Sequence, residues 1–138
     1  MILRKARMDD ADLLLIWRND PEVRAMSEHT GRIRAATHRA WLARQLAYSQ
    51  CHGSLWVAQH DQIDVGYGRV QGMQRVAQLS YCIAAEYRGR GLGLDLVRLL
   101  VARARAIGYR QIGLRVRRAN VASVLCALRG GATVMEIF

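Results

Sequence analysis

The seven residues Tyr87-Arg88-Gly89-Arg90-Gly91-Leu92-Gly93 carry the strongest chemical signal in the chain. Glycines at 89, 91 and 93 let a backbone approach a ligand with no Cβ in the way. The segment lies between an alternating stretch that reads as a strand and an apolar stripe that reads as a long helix, so its N–H groups converge on a helix N-terminus, which carries roughly half a positive charge. Arg88 and Arg90 add guanidinium donors suited to phosphate oxygens. The chemistry is anion binding, with a pyrophosphate as the natural guest. Other glycine-rich devices fail letter by letter. A Gly-x-Gly-x-x-Gly dinucleotide fingerprint needs glycine where Leu94 or Leu96 stands, and a nucleoside triphosphate loop needs Gly-Lys-Ser/Thr, whereas the only lysine is Lys5.

The elements that must position this loop can be read from periodicity. Ile2 to Ala6 reads as a short strand. Asp9 and Asp10 are candidate N-caps for a helix from Ala11 that stops near Asn19. Pro21 opens a short helical piece, Glu22 to Met26, and Ser27 to Gly31 is polar enough for a surface loop. A helix follows over Ala35 to Tyr48, with Trp41, Leu42 and Leu46 at helical spacing, Arg39 and Arg44 outward, and His38 facing solvent. After a break at Gln50 to Gly53, Leu55 to Ala58 and Ile63 to Val70 flank the polar turn His60-Asp61-Gln62 as a hairpin. A second turn over Gln71 to Gln74 leads to a strand, Val76 to Ile83, where Leu79, Tyr81 and Ile83 alternate with Gln78, Ser80 and Cys82.

Gly91 to Ile107 is the strongest helix. Leu92, Leu96, Leu99, Leu100 and Ile107 form its stripe, Asp95, Arg98 and Arg105 lie opposite, and Gly108 ends it. Gln111 to Val116 reads as a strand, Asn120 caps a short helix to about Arg129, Gly130-Gly131 closes it, and Ala132 to Phe138 reads as a last strand. The predicted class is α+β: a mixed, mostly antiparallel sheet flanked by helices, with one strand-helix-strand crossover after the meander.

The chain has 138 residues, room for one domain over 1–138 with a real core. Twenty arginines and one lysine against 11 acids give a net charge of +10, which invites an anionic partner. Nucleic acid and a phosphorylated cofactor both answer that charge, but the interleaved aromatic and basic surface of an RNA-reading sheet is missing. No apolar run is long enough for a membrane span and the N-terminus lacks the pattern of a signal peptide, so no membrane partner and a cytoplasmic location are expected. Cys51, Cys82 and Cys126 are too far apart for a Cys-x-x-Cys pair and are expected as free thiols, with no metal site.

The loop and its setting resemble the GNAT superfamily of acetyl-coenzyme A-dependent N-acetyltransferases. The family signature, Arg/Gln-x-x-Gly-x-Gly/Ala after the fourth strand, is met by Arg88, Gly91 and Gly93. Ser80 to Tyr87 looks like the family's splayed fourth strand. Leu114-Arg115-Val116 followed by Asn120, Ser123 and Gly131 resembles its second motif. The resemblance spans essentially the whole chain and implies acetyl-CoA as cosubstrate. Arg88, Gly89, Arg90, Gly91, Leu92 and Gly93 would bind its pyrophosphate, Ile83 would offer backbone groups to pantetheine, and Asn120 would bond near the same arm. The family continues past its sixth strand into a seventh, so the C-terminal hairpin is short or missing here. The strand ending at Phe138 would keep an open edge and pair with a second copy.

Amide formation from a thioester needs a neutral amine and a proton for the thiolate. Many members supply the proton from a Tyr seven residues after the Asn, a position held here by Ala127 with Cys126 beside it; direct attack with a solvent-derived proton remains open. Cys126 as nucleophile stands beside its reading as a small buried residue. Ser80, Gln78, Asp64 and Glu86 are candidates to hold a water near the amine, with Ser80 the catalytic candidate. The first third resembles a branch acting on amino sugars, including nucleotide-linked ones, which makes Arg18, Arg24 and His29 substrate-binding candidates and a small-molecule amine the expected acceptor. Ribosomal-protein alanine acetyltransferases are the alternative branch, and a basic nucleic-acid-binding module is the alternative outside enzymes.

Overall fold

The computed structural model describes residues 1–49 and 53–138; Cys51 and most of the break expected over Gln50 to Gly53 lie outside them. Six strands stand in sequence order, β1 (Ile2–Lys5), β2 (Gly53–His60), β3 (Ile63–Met73), β4 (Val76–Ile83), β5 (Gln111–Val116) and β6 (Thr133–Ile137). β1 to β4 pair antiparallel and β4–β5 and β5–β6 pair parallel. The helices are α1 (Ala11–Arg18), α2 (Pro21–Met26), α3 (Ala35–Ser49), α4 (Leu92–Ile107) and α5 (Val121–Gly130). The α+β expectation holds: a mixed sheet, mostly antiparallel, flanked by helices. Two strand-helix-strand crossovers occur rather than one, because β6 returns through α5 to lie beside β5.

Local chemistry explains most boundaries. Asp61 and Gln62 both take positive φ (51° and 66°), the two-residue turn that matches strand twist in a hairpin. β3 runs on to Met73, so the second turn is tighter than Gln71 to Gln74 and closes at Gln74, φ 58°. Asp20 caps α2 by accepting from the Glu22 and Val23 N–H groups, and Asn120 caps α5 by accepting from the Ser123 N–H. Asp10 does not cap α1. Its carboxylate is instead taken by Arg4 (2.7 and 3.0 Å) and by the Arg7 N–H (2.8 Å). A buried carboxylate near a guanidinium gains more from a charge-assisted pair than from a helix end.

The sheet carries an apolar core on each face. One unites Leu79, Ile83, Leu92, Leu96, Val97, Leu100, Ile112, Leu114 and Ala127 under α4 and α5. Here Gly68 lets α4 settle close on β3, since a Cβ there would stand 2.7 Å from a Leu100 methyl. Ile107, placed on the stripe by periodicity, is half exposed because the last turn of α4 overruns the sheet. The other core joins Leu14, Trp17, Leu42, Leu55, Val57 and Cys82 under α1 and α3. His38 belongs to this side: it is 4% exposed and stacks against Trp41, which corrects its expected solvent-facing position. Among the described residues no helix is long and apolar enough to cross a membrane.

Candidate active site

β4 ends at Ile83, and a short 3₁₀ turn over Ala85–Tyr87 delivers the chain to α4. Gly89 and Gly91 sit at φ 77° and 79°, a region where a β-carbon is strained, and neither has an atom within 4 Å of where one would stand. Gly91 is the N-cap of α4 and offers no side-chain acceptor, so no cap side chain takes the first-turn N–H groups of a 16-residue helix. Uncapped donors and a helix dipole at one point make an anion cradle.

The two loop arginines play different parts. Arg88 is folded back: its Nε donates to the Ile83 carbonyl (2.9 Å), one terminal nitrogen meets Glu22 of α2 (2.7 Å), and Asp20 lies 3.8 Å away. The guanidinium therefore ties α2 to the loop instead of reaching into the cradle, and the Ile83 carbonyl is already engaged. Arg90 lies over the Tyr87 ring at 5.8 Å and is exposed beside the cradle.

β4 and β5 separate at the same end of the sheet. They pair only over Val76–Gln78 with Gln111–Gly113, so β4 from Leu79 to Ile83 and β5 from Leu114 to Val116 diverge with main-chain groups facing the gap. The Tyr81 hydroxyl spans this divergence to the Ser123 hydroxyl of α5 (2.8 Å). Gly93 lies below, where a Cβ would touch Cys126 Sγ at 3.6 Å and the Tyr81 ring at 3.7 Å. Burial pushes the Tyr81 phenol well above its usual range, Ser123 works against that, and nearby Cys126 adds to it. Tyr81 thus keeps its proton at neutral pH, and either hydroxyl of the Tyr81–Ser123 pair can donate to the other. Cys82 faces the other core, where burial lifts its thiol to about 11, with Arg88 and, less, Arg18 partly offsetting this. Ala127 is fully buried and Cys126 half-buried on α5.

The remaining expected site residues are spread more widely. Ser80 is half-buried on β4, directly opposite Arg69 of β3, while Gln78 stands opposite Gln71. Asp64 is remote in function: it binds Arg4 and Gln59, and the Arg4 hydrogen bond holds its carboxyl below the usual range. Glu86 is exposed, and its carbonyl accepts from Arg90 (3.4 Å). Arg18 donates to Ser27 (2.8 Å), and Arg24 spends its donors on the Asn19 and Thr30 carbonyls, bracing the loop after α2. His29 is exposed in that loop. The loop also grips the end of β5, with Arg115 on Glu28 (3.1 Å) and Arg117 on the Ser27 carbonyl (2.8 Å). The segment from Asp20 to Glu28 is therefore a strap fastened on both sides of the diverging strands.

Tyr81 and Arg69 were not singled out by sequence reasoning. Tyr81 reads as one more apolar position of an alternating strand, and its partner is 42 residues away. Two cavities of about 520 and 660 Å³ open at the opposite end of the sheet, lined by residues such as Arg105, Arg110, Thr133 and Met135, or Gln74, Arg75 and Tyr109; none of the expected site residues lines them. Among the described residues no cluster of three or more His, Cys, Asp and Glu is arranged to hold a metal.

A family model described as an acetyltransferase (GNAT) domain matches residues 1–133. Solved structures agree in fold. A ribosomal-protein-alanine N-acetyltransferase from Brucella melitensis is 21% identical, with 95% of this chain and 83% of that one covered and a TM-score of 0.79. An aminoglycoside acetyltransferase, AAC(6')-Ib, in complex with coenzyme A and kanamycin is 19% identical over 94% of this chain and 81% of that one, at 0.79. A putative acetyltransferase from Salmonella typhimurium with its cofactor acetyl-CoA is 18% identical over 93% and 76%, at 0.76. The curated proteins contain no significant match.

Proposed function

The chain belongs to the GNAT acetyltransferases and transfers acetyl groups from acetyl-CoA to amines, and from this premise we propose that its acceptor is the primary amine of a small molecule, with a nucleotide-linked amino sugar as the class. The observation that carries the reading is the coincidence of an uncapped α4 N-terminus with the point where β4 and β5 part. Acetyl-CoA supplies the activated acyl group. The Gly89–Gly93 main chain binds its pyrophosphate with Arg90 alongside, and the free edge of β4 pairs with its pantetheine arm, as a peptide adds to a sheet edge. Asn120 holds the start of α5 beside that arm. Ser80 holds a water on the acceptor side of β4, where the amine must shed its proton. Arg18, Arg24 and His29 belong to the acceptor wall through the strap they carry.

The Tyr81 hydroxyl fills the part left open by Ala127. In this reading the Ser123 hydroxyl donates to the phenol oxygen, which leaves the single phenol proton for the departing sulfur. Tyr81→Phe keeps the ring against Gly93 and removes only the donor. We expect kcat to fall about tenfold to a hundredfold while the KM for acetyl-CoA stays within about twofold. An unchanged kcat would reduce Tyr81 to packing.

An acceptor screen that follows free thiol release tests the assignment. Turnover of nucleotide-linked amino sugars supports it. Turnover confined to peptides with an N-terminal alanine would shift the function to protein acetylation, a reading favoured by the likeness to the Brucella melitensis enzyme. Salt-sensitive RNA binding with no acetyl-CoA binding would displace both. Self-association through the C-terminal strand belongs to the same proposal. Among the described residues β6 pairs only with β5, Met135 and Ile137 on it are exposed, and Val121, Leu125 and Leu128 form an exposed stripe on adjacent α5. Sedimentation at micromolar concentration is expected to show a dimer, and a strict monomer refutes it.

A further inference from the structure

Beside the diverging strands, the α3-facing side of the sheet changes from apolar to polar. Arg69 stands opposite Ser80, and Gln71 opposite Gln78, so four polar side chains share one face next to the last β4–β5 pair. The Arg69 guanidinium donates to Gln71 Oε1 (2.9 Å) and to Gln45 Oε1 of α3 (3.2 Å), and lies 5.8 Å from the centre of the Trp41 ring. Its supports are two neutral amides and an aromatic face. Arg4, Arg88 and Arg115 each meet carboxylates, but among the described residues no acid lies within ion-pair distance of Arg69.

Burial pulls the Arg69 pKa below its usual value, yet a guanidinium remains charged. A positive charge has thus been removed from much of its water without a counter-charge. Two of its five N–H donors serve the amides, and the described residues take none of the others. The same wall holds a buried polar atom that no described residue meets. His38, one turn before Trp41 on α3, stacks on the indole at 5.5 Å between centres, and its Nδ1 is buried with no hydrogen bond. Burial, and then the charge of Arg18, push this imidazole below its usual pKa, so it is neutral at pH 7.

We propose that this wall is an anion subsite, in which Arg69, presented by Gln45, Gln71 and Trp41, binds an oxyanion group, carboxylate or phosphate, carried by the acceptor amine. The inference rests on the acetyl-transfer reading and narrows it. Arg69 is one strand spacing, about 5 Å, from β4, so the anion sits within a few bonds of the reacting amine. A planar fork with free donors suits two oxygens of one group. The subsite selects against polycationic amines, which the net charge of +10 also repels.

Matched amine pairs that differ only in the anion test the proposal: glucosamine 6-phosphate against glucosamine, and β-alanine against β-alaninamide. The wild-type protein is expected to favour the anionic member of one pair by about tenfold or more in kcat/KM, and the pair affected tells phosphate from carboxylate. Arg69→Gln should bring that ratio near one with the KM for acetyl-CoA unchanged, Arg69→Lys should retain part of it, and Arg98→Gln, on the exposed face of α4, should leave it intact. Equal use of both members by the wild type, or a preference that survives Arg69→Gln, overturns the subsite. If none of the four amines is acetylated, inorganic phosphate and acetate are titrated against tryptophan fluorescence with coenzyme A bound. Saturable binding that weakens about tenfold in Arg69→Gln is then expected, and no binding, or equal binding by both proteins, overturns it. Failure of the wild type to bind coenzyme A at all is a separate result, and strikes the acetyl-transfer reading instead.

Discussion

Replacing Gly91 with Asp is expected to weaken acetyl-CoA binding on the order of a hundredfold, because two independent penalties meet at one position. The residue holds φ 79°, where a β-carbon costs about 1–2 kcal/mol. The open space around it means that no neighbouring atom is struck, so the damage is electrostatic and conformational rather than a clash. A carboxylate at this N-cap both accepts the first-turn N–H groups and opposes the phosphates they serve. A lost charge-assisted contact is worth about 1.5–3 kcal/mol, and each 1.4 kcal/mol is about tenfold in affinity. Gly91→Asn separates the two causes, since Asn tolerates positive φ and carries no charge. Calorimetric titration with coenzyme A should rank glycine above asparagine above aspartate. Equal affinity for all three would remove the pyrophosphate from this loop.

The second large effect concerns stability. Arg4→Met is expected to cost about 3 kcal/mol, because it leaves Asp10 and Asp64 facing each other without the guanidinium that both bind. The Asp10 side chain is only 8% exposed, so solvent cannot replace the partner. In the intact protein burial pushes the Asp10 carboxyl up, but the Arg4 hydrogen bonds and the Arg7 N–H reverse this and leave it below the usual range; Arg4 does the same for Asp64. Carboxyls with depressed folded-state values contribute stability that is present above the ordinary carboxylate range and is lost as pH falls through the folded values. Without Arg4, burial and mutual repulsion should raise both carboxyls, so that protonation relieves the variant. Denaturant unfolding at about pH 7 and about pH 3 should therefore show a gap between the two proteins that narrows in acid. A gap independent of pH would mean that Arg4 acts through packing alone.

Those carboxylates also illustrate which features were legible in the chain. Its punctuation was readable because the causes are local: Asn120 caps α5, Gly108 and Gly131 end α4 and α5 with positive φ, and the α4 stripe buries Leu92, Leu96 and Leu100. The glycine loop was readable for the same reason, since backbone freedom and a helix start occur within seven residues. Asp10 stands at the N-cap position of α1 as its pattern predicts, but its carboxylate serves Arg4, six residues back across a turn, and local pattern cannot weigh a cap bond against an ion pair. His38 was turned outward because α3 is only weakly patterned and its burial depends on Trp41 and on the sheet. The Arg88 side chain reads as a phosphate donor, and its contact with Glu22, 66 residues away, is one that the loop sequence does not carry. Tyr81 with Ser123, and Arg69 with Gln45, are likewise juxtapositions made by the sheet.

The strap and the diverging strands can be put in mechanical terms. The sheet is two leaves, β1–β4 and β5–β6, joined by a seam of three residue pairs at one end. At the other end they are tied through the strap, by Arg88 to Glu22 and by Arg115 to Glu28. A short seam acts as a hinge, and a tie of largely exposed ion pairs is soft, each pair contributing about 0–1 kcal/mol. The face of the wedge under α4 and α5 is held by the shared apolar core, so its give lies on the strap side, where the ties are ion pairs. An arm that bonds to the free edges of both leaves would act as a brace. On this view the cosubstrate would be a structural member as well as a donor: an arm bonded along the free edge would stiffen the strap side of the wedge, and the proposed acceptor wall would take its final dimensions after the first substrate is in place.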